Sequence, residues 1–161
     1  MEPAGSFASV MRRRQTRDRW RNQMKTFSMT HIGRRRETNQ DYMFTSETEV
    51  GNLPNLFLVA DGMGGHAAGD YASRFTVERI VEYIGQAQQS EPVTLLSEAI
   101  AYANRLLLSE AEADEKKAGM GTTIVAATLC GEKLYTESVK NRPDYTGSLV
   151  GRGNGPAWRD G

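Results

Sequence analysis

The stretch Leu58 to Asp70, LVADGMGGHAAGD, sets four glycines, two aspartates and one histidine directly after an apolar run. Asp61 falls where that run, read as a strand, comes to its end, and a carboxylate there projects from a rigid edge into a cleft. Gly62 permits close backbone approach, so the Asp61 carboxylate and the Gly62 carbonyl can face one hard cation. Oxygen-only ligation suits Mg2+ or Mn2+, and neither a thiolate set nor a histidine cluster points to zinc. The same residues also fit a plain glycine-rich turn in which Asp61 caps the following helix. Residue chemistry alone leaves the two readings level.

A second cluster, RETNQD, places Arg36 and Asp41 five residues apart at the junction of a loop and a strand. A guanidinium fork matches a phosphate bidentately, and Asp41 can orient a water or a ligand at the outer shell of a metal. Alone, the cluster also reads as a salt-bridged surface loop, with Arg34 and Arg35 as solvated neighbours. His66 can serve as a general acid toward a leaving alkoxide or be an ordinary loop histidine, and His31 reads as structural. GMGGHAAG faintly resembles a dinucleotide fingerprint, but its spacing is wrong and no acidic ribose-binding position follows about twenty residues later.

These residues need elements to hold them. KTFSMTHI alternates and predicts a half-buried strand with Phe27, Met29 and His31 on one face. YMFTSETEV predicts a second strand, GNLPN a hairpin turn, and LFLVAD a third, fully buried strand, together an antiparallel meander. The period then changes from two to 3.6. Phe75, Val77, Ile80, Val81 and Ile84 form the stripe of a helix over about 70–88, with Arg74, Glu78 and Glu82 facing water. Leu95, Leu96, Ala99, Ile100, Ala103, Leu106 and Leu107 mark a second helix over about 94–115, with Pro92 suited to its start. GMGTTIVAATLC, a GE turn and KLY predict a returning hairpin. The expected fold is α+β, with about five strands and two antiparallel helices on one face.

Length and composition fit that picture. A chain of 161 residues, 39% hydrophobic and 25% charged, is long enough for one domain with a real core. No apolar run approaches the roughly 20 residues of a membrane span, and no secretory signal is evident. Cys130 is the single cysteine, which excludes an internal disulfide and fits a reducing, cytoplasmic setting. Net charge is zero, yet residues 1–36 carry ten Lys and Arg against two acids, and residues 37–161 carry ten against eighteen. Residues 1–23 are expected to be a basic, solvated leader, with no nucleic acid as partner, and Met24 is an alternative start.

Taken in order, RRRETNQD, LVADGMGGHAAGDYAS and GMGTTIVAATLCGEKLY resemble the metal-dependent protein serine/threonine phosphatases of the 2C type, chiefly their bacterial branch. The resemblance covers about residues 24–135. It implies an αββα sandwich of antiparallel sheets, two Mg2+ or Mn2+ ions, phosphorylated proteins as substrates, and attack by a metal-activated water on phosphoserine or phosphothreonine. Carried over by position, Arg36 binds the substrate phosphate, Asp61 bridges the metals and Gly62 offers its carbonyl. Asp41 stands at the outer shell, and Thr122 and Thr123 pack a strand start beside the site.

The resemblance stops after KLY. The family continues with a GDSR strand and later SDG and DN motifs that supply further metal-binding aspartates, and this sequence contains none of the three. The expectation is therefore an incomplete αββα sandwich that binds metal weakly and is catalytically impaired, since ligand charge sets affinity for hard cations. Residues 136–161 read as an irregular tail. Back-translated and shifted by one nucleotide, its codons are compatible with QITQDHSLVEEMVRLGEM, a string that resembles the segment following GDSR in the bacterial phosphatases. A deletion that shifted the reading frame is one expectation, and a genuinely divergent short protein is the other. Sequencing the locus separates them. A non-catalytic homologue acting as a binding module is the alternative function.

Overall fold

The computed structural model describes residues 24–32, 39–65 and 68–141. Among them, β1 (Asp41–Ser46), β2 (Leu56–Met63), β3 (Gly121–Cys130) and β4 (Lys133–Asn141) form one antiparallel sheet in sequence order. Helices α1 (Ala68–Gln86) and α2 (Pro92–Ala113) lie between β2 and β3 in the chain, and a single 3-10 turn (Glu115–Lys117) follows α2. Both helices cover the same side of the sheet, α1 against β1, β2 and β3, and α2 against α1 and β4. The expected α+β class holds. The basic leader 1–23 and the tail from residue 142 onward lie outside the described residues.

Alternation along the strands decides which side chains are inside. Leu56, Leu58 and Ala60 of β2 and Ile124 and Ala126 of β3 are buried against Val77, Ile80 and Ile84 of α1. Leu95, Leu96, Ala99, Ile100 and Ala103 of α2 complete the core. The helical stripes are thus those expected from the 3.6 period, while Arg74, Glu78 and Glu82 face solvent. Glu91 caps α2: its carboxylate accepts from the backbone N–H of Val93 at 3.3 Å and Thr94 at 2.7 Å, and Pro92 opens the helix. Glu91→Ala is expected to lower stability by about 1 kcal/mol, read from the urea midpoint at unchanged m value.

The GNLPN turn does more than reverse the chain. Val50 and Leu53 exchange backbone hydrogen bonds at 3.0 and 3.1 Å, and Gly51 adopts φ 55°. The Asn52 amide donates to Ala87 O at 3.1 Å and Gln89 O at 2.9 Å, satisfying carbonyls where α1 ends. Asn55, buried, donates to Leu129 O at 2.8 Å and accepts from Leu129 N at 2.7 Å, so its side chain pairs with β3 where β2 has not begun.

Four sequence expectations change. Residues 24–32 are not a strand: Phe27 and Met29 are 87% and 73% exposed. Thr26 and Ser28 meet Glu47 and Thr45 through side chains, so no backbone ladder forms to fix a buried face. β2 is not fully buried but alternates, with Val59 half exposed, because among the described residues no second layer covers the side of the sheet away from the helices. The described residues form four strands, not five. β4 runs on to Asn141, past the expected boundary at 135, since the β3 ladder continues from Cys130–Lys133 to Thr122–Asn141.

Candidate active site

The chemistry-bearing residues gather at one end of the sheet, where β1 and β3 begin and β2 ends. Asp41 pairs with Asp61, and Asp61 with Thr123, which pairs with Lys140. The four side chains form one row on the side away from the helices. Gly62 N donates to Gln40 O at 2.9 Å, so by alternation Asp41 and Asp61 form the non-hydrogen-bonded type of pair. That type holds facing residues closest, with Cα atoms about 4.5 Å apart.

The backbone at Asp61 is fixed from β3. Thr122 Oγ1 donates to Asp61 O at 3.0 Å and to Thr123 O at 2.8 Å, while Asp61 N donates to Thr123 Oγ1 at 3.3 Å. The expected structural role of the two threonines has this form. Asp41 N donates to Asn39 Oδ1 at 3.1 Å, and Asn39 donates in turn to Thr30 Oγ1 at 3.0 Å.

Two glycines keep the loop close. A Cβ on Gly62 would lie 1.9 Å from Gly69 O and 2.8 Å from Gln40 O, and one on Gly69 would lie 2.8 Å from the Gln40 side chain. Gln40 Nε2 donates to Gly64 O at 3.4 Å. Gly62 is therefore packed backbone to backbone against Gly69 and Gln40, Gly69 lies against the Gln40 side chain, and α1 starts against the turn that follows Asp61. Asp70 is exposed in the first turn of α1, where a carboxylate favours the positive end of the helix dipole.

A second polar group ties the start of α1 to the end of α2. Glu110 Oε2 accepts from Tyr71 OH at 2.7 Å and Lys117 Nζ at 2.6 Å, and Lys117 lies 4.0 Å from the Tyr71 ring centre. The Lys117 ammonium, then the Tyr71 hydroxyl, hold the Glu110 carboxyl below its ordinary value of 4.5, and Glu110 in turn raises Lys117 above 10.5. A lowered carboxylate contributes stability that is present above 4.5 and lost as pH falls through its lowered value. The raised lysine contributes stability present below 10.5 and lost as pH rises through its raised value. Glu110→Gln is expected to flatten both edges of the stability profile between acid and alkaline pH, measured by thermal melts across pH.

Of the residues singled out from the sequence, Asp41, Asp61 and Gly62 come together. Arg36 and His66 lie outside the described residues. Sequence reasoning missed Lys140, because β4 was not expected to reach it, and gave Gln40 no packing role. Among the described residues, no group of three or more histidines, cysteines or acids is placed to hold a metal ion. No helix among them is long and apolar enough to cross a membrane.

The model of the Protein phosphatase 2C family matches residues 30–139. The chain belongs to the 2C phosphatase family. It is 34% identical over 120 residues to the serine/threonine phosphatase stp of Listeria welshimeri, covering 72% of this chain and 47% of that protein. It is 32% identical over 79 residues to the serine/threonine protein phosphatase PstP of Mycobacterium tuberculosis, covering 49% of this chain and 15% of that one. The crystal structure of Staphylococcus aureus Stp1 superposes with a TM-score of 0.60 at 27% identity, over 72% of this chain and 48% of that one. The catalytic domain of PstP, solved in complex with two manganese ions, gives 0.57 at 27% identity, over 68% and 44%. This 2C-family chain thus spans about half the length of the Listeria relative that it matches over most of its own.

Proposed function

We propose that the chain carries the metal-dependent protein phosphatase chemistry of its family in partial form: hydrolysis of phosphoserine and phosphothreonine in phosphorylated proteins, impaired by the small number of charged ligands. The observation that supports this most directly is the Asp41–Asp61 pair, two carboxylates facing each other across β1 and β2 at the closest strand spacing. The donor set fits a hard divalent cation. Mg2+ and Mn2+ bind through one or two carboxylates and keep several waters, so two aspartates with a nearby carbonyl make a weak, open site. Asp61 and Gly62 would hold the cation, and Asp41 would orient its outer shell. When bound, such a cation supplies Lewis acidity and neutralises charge on a transferring phosphoryl group. On this reading Arg36 grips the phosphate of the substrate and His66 gives a proton to the departing seryl or threonyl oxygen. Thr122 and Thr123 keep the Asp61 backbone fixed while the ligands change.

The test is phosphate release from a phosphothreonine peptide by the purified full chain, titrated with Mn2+ or Mg2+ and stopped by a chelator. Turnover that rises with metal supports the enzyme. A second reading, a non-catalytic binding module, is favoured by the lack of a three-ligand cluster among the described residues. It predicts peptide binding in calorimetry with no phosphate released at any metal concentration. The nucleotide sequence of the locus tests the deletion and frameshift.

A further inference from the structure

We infer that Lys140 is a substrate-binding residue: its ammonium takes an oxygen of the substrate's phosphoryl group, across the sheet from the carboxylate pair. The inference rests on the phosphatase reading given above and adds to it a residue outside the three motifs. Lys140 reaches the site because β4 stays paired with β3 as far as Asn141. One register row then reads Asp41, Asp61, Thr123, Lys140: two acids, a neutral residue and a base.

Pairing type fixes the spacing along that row. Asp41 and Asp61 form a non-hydrogen-bonded pair, so by alternation Asp61–Thr123 is hydrogen-bonded and Thr123–Lys140 is again non-hydrogen-bonded. Steps of about 5.5 and 4.5 Å put the Asp61 and Lys140 Cα atoms about 10 Å apart. The four-carbon stem of lysine covers more than half of that span. The Thr123 hydroxyl is turned to the backbone, accepting from Asp61 N at 3.3 Å, so no long side chain stands between the two charges. Lys140 is exposed, and among the described residues it belongs to none of the ion pairs. Its charge is therefore uncommitted, at a distance where one small group can touch both flanks.

Charge says what that group is. A phosphomonoester carries about two negative charges at neutral pH. Two carboxylates alone repel it, and a hard cation between them reverses that only on their own flank. Lys140 supplies positive charge on the opposite flank, through an ammonium with three donors and no acceptor. Lysine holds phosphate as a point charge, which asks for proximity and not for the fixed fork that Arg36 would offer. The row is the edge that the phosphatase reading already gives to cation and substrate, so binding here leaves both carboxylates to their proposed work.

Calorimetric titration of inorganic phosphate into the full chain, in a fixed excess of Mg2+, tests this alongside Mn2+-dependent turnover of a phosphothreonine peptide. Lys140→Gln should weaken phosphate binding about tenfold, the low end for a charged hydrogen bond because the position is exposed. It should raise KM by a similar factor and leave kcat nearly unchanged, since the phosphoryl oxygens carry their charge before and during transfer. Lys140→Arg should restore both. Lys133→Gln, the same charge change at the hairpin end of β4 where Lys133 pairs with Cys130, should alter neither. High salt should shrink the gap between the parent and Lys140→Gln. Circular dichroism should be unchanged in all three, and should Lys140→Gln not fold, Lys140→Ala takes its place. Equal phosphate binding by the parent and Lys140→Gln, a parent that binds no phosphate, or an equal loss in Lys133→Gln would overturn the inference, whatever the turnover. Phosphate binding that falls in Lys140→Gln, with no turnover at any metal concentration, upholds Lys140 and counts against the enzyme reading instead.

Discussion

Gly62→Ala is expected to destabilise the chain by about 3 kcal/mol or more, against a smaller cost at Gly69 and a gain at Gly85. The added Cβ would sit 1.9 Å from Gly69 O and 2.8 Å from Gln40 O, both backbone atoms. One belongs to the first turn of α1 and the other to the residue that precedes β1. Neither can rotate away as a side chain would. Relief requires moving the start of α1 from the sheet or stretching the Gly62 N to Gln40 O bond of 2.9 Å, which is the last rung between β1 and β2. Gly69→Ala meets only the end of the Gln40 side chain and should cost about 1 kcal/mol. Gly85→Ala, late in α1 with nothing within 4 Å of its Cβ, should stabilise by about 0.5 kcal/mol. Urea midpoints of the three variants give the ranking. Equal costs at 62 and 85 would mean that the turn and the helix are not in the backbone contact described.

That contrast also explains what the sequence allowed to be read. The helical stripes were legible because Val77, Ile80, Ile84, Leu95, Ala99 and Ala103 each face a core formed by elements within this chain. Residue chemistry alone left Asp61 open between a ligand and a turn residue and Asp41 between a site and a surface loop; the order of the three motifs singled them out, and strand register brings them opposite each other. Where the outcome depended on a layer absent from the described residues, periodicity misled. Phe27 and Met29 alternate as a half-buried strand should, and LFLVAD reads as buried on both faces, yet burial needs a neighbour that local pattern does not supply. Gln40 and Asn55 were invisible for another reason. Their work is done by amide hydrogen bonds and close packing to residues distant in sequence, Gly69 and Leu129, and neither produces a periodic signal.

Asp61→Asn separates the cation site from the scaffold by opposite signs in two conditions. Asp41 and Asp61 are direct cross-strand partners of like charge, in the closer of the two antiparallel pair types. Facing like charges destabilise a sheet by about 0.2–1 kcal/mol. In a chelator, Asp61→Asn should therefore raise the unfolding free energy by about that amount, because the amide removes the repulsion while keeping the side chain's shape and an oxygen that still accepts hydrogen bonds. Asp41→Asn should give a similar gain, and the double variant little more than either alone, since both singles remove one shared interaction. With Mn2+ present the order reverses. A cation that binds only the folded chain stabilises it in proportion to the logarithm of its concentration over Kd, and this increment should vanish in Asp61→Asn. Any metal-dependent phosphate release should fall by about 100-fold or more, the loss expected of a direct ligand when outer partners alone cost 10–100-fold. If Asp61→Asn is less stable than the parent in chelator, and both chains respond alike to Mn2+, the two carboxylates are not the repulsive pair that a cation neutralises. Asp61 would then be a turn residue whose value lies in its own hydrogen bonds. Opposite signs in the two conditions can arise only if the fold holds two negative charges together at a cost in stability that a bound cation repays.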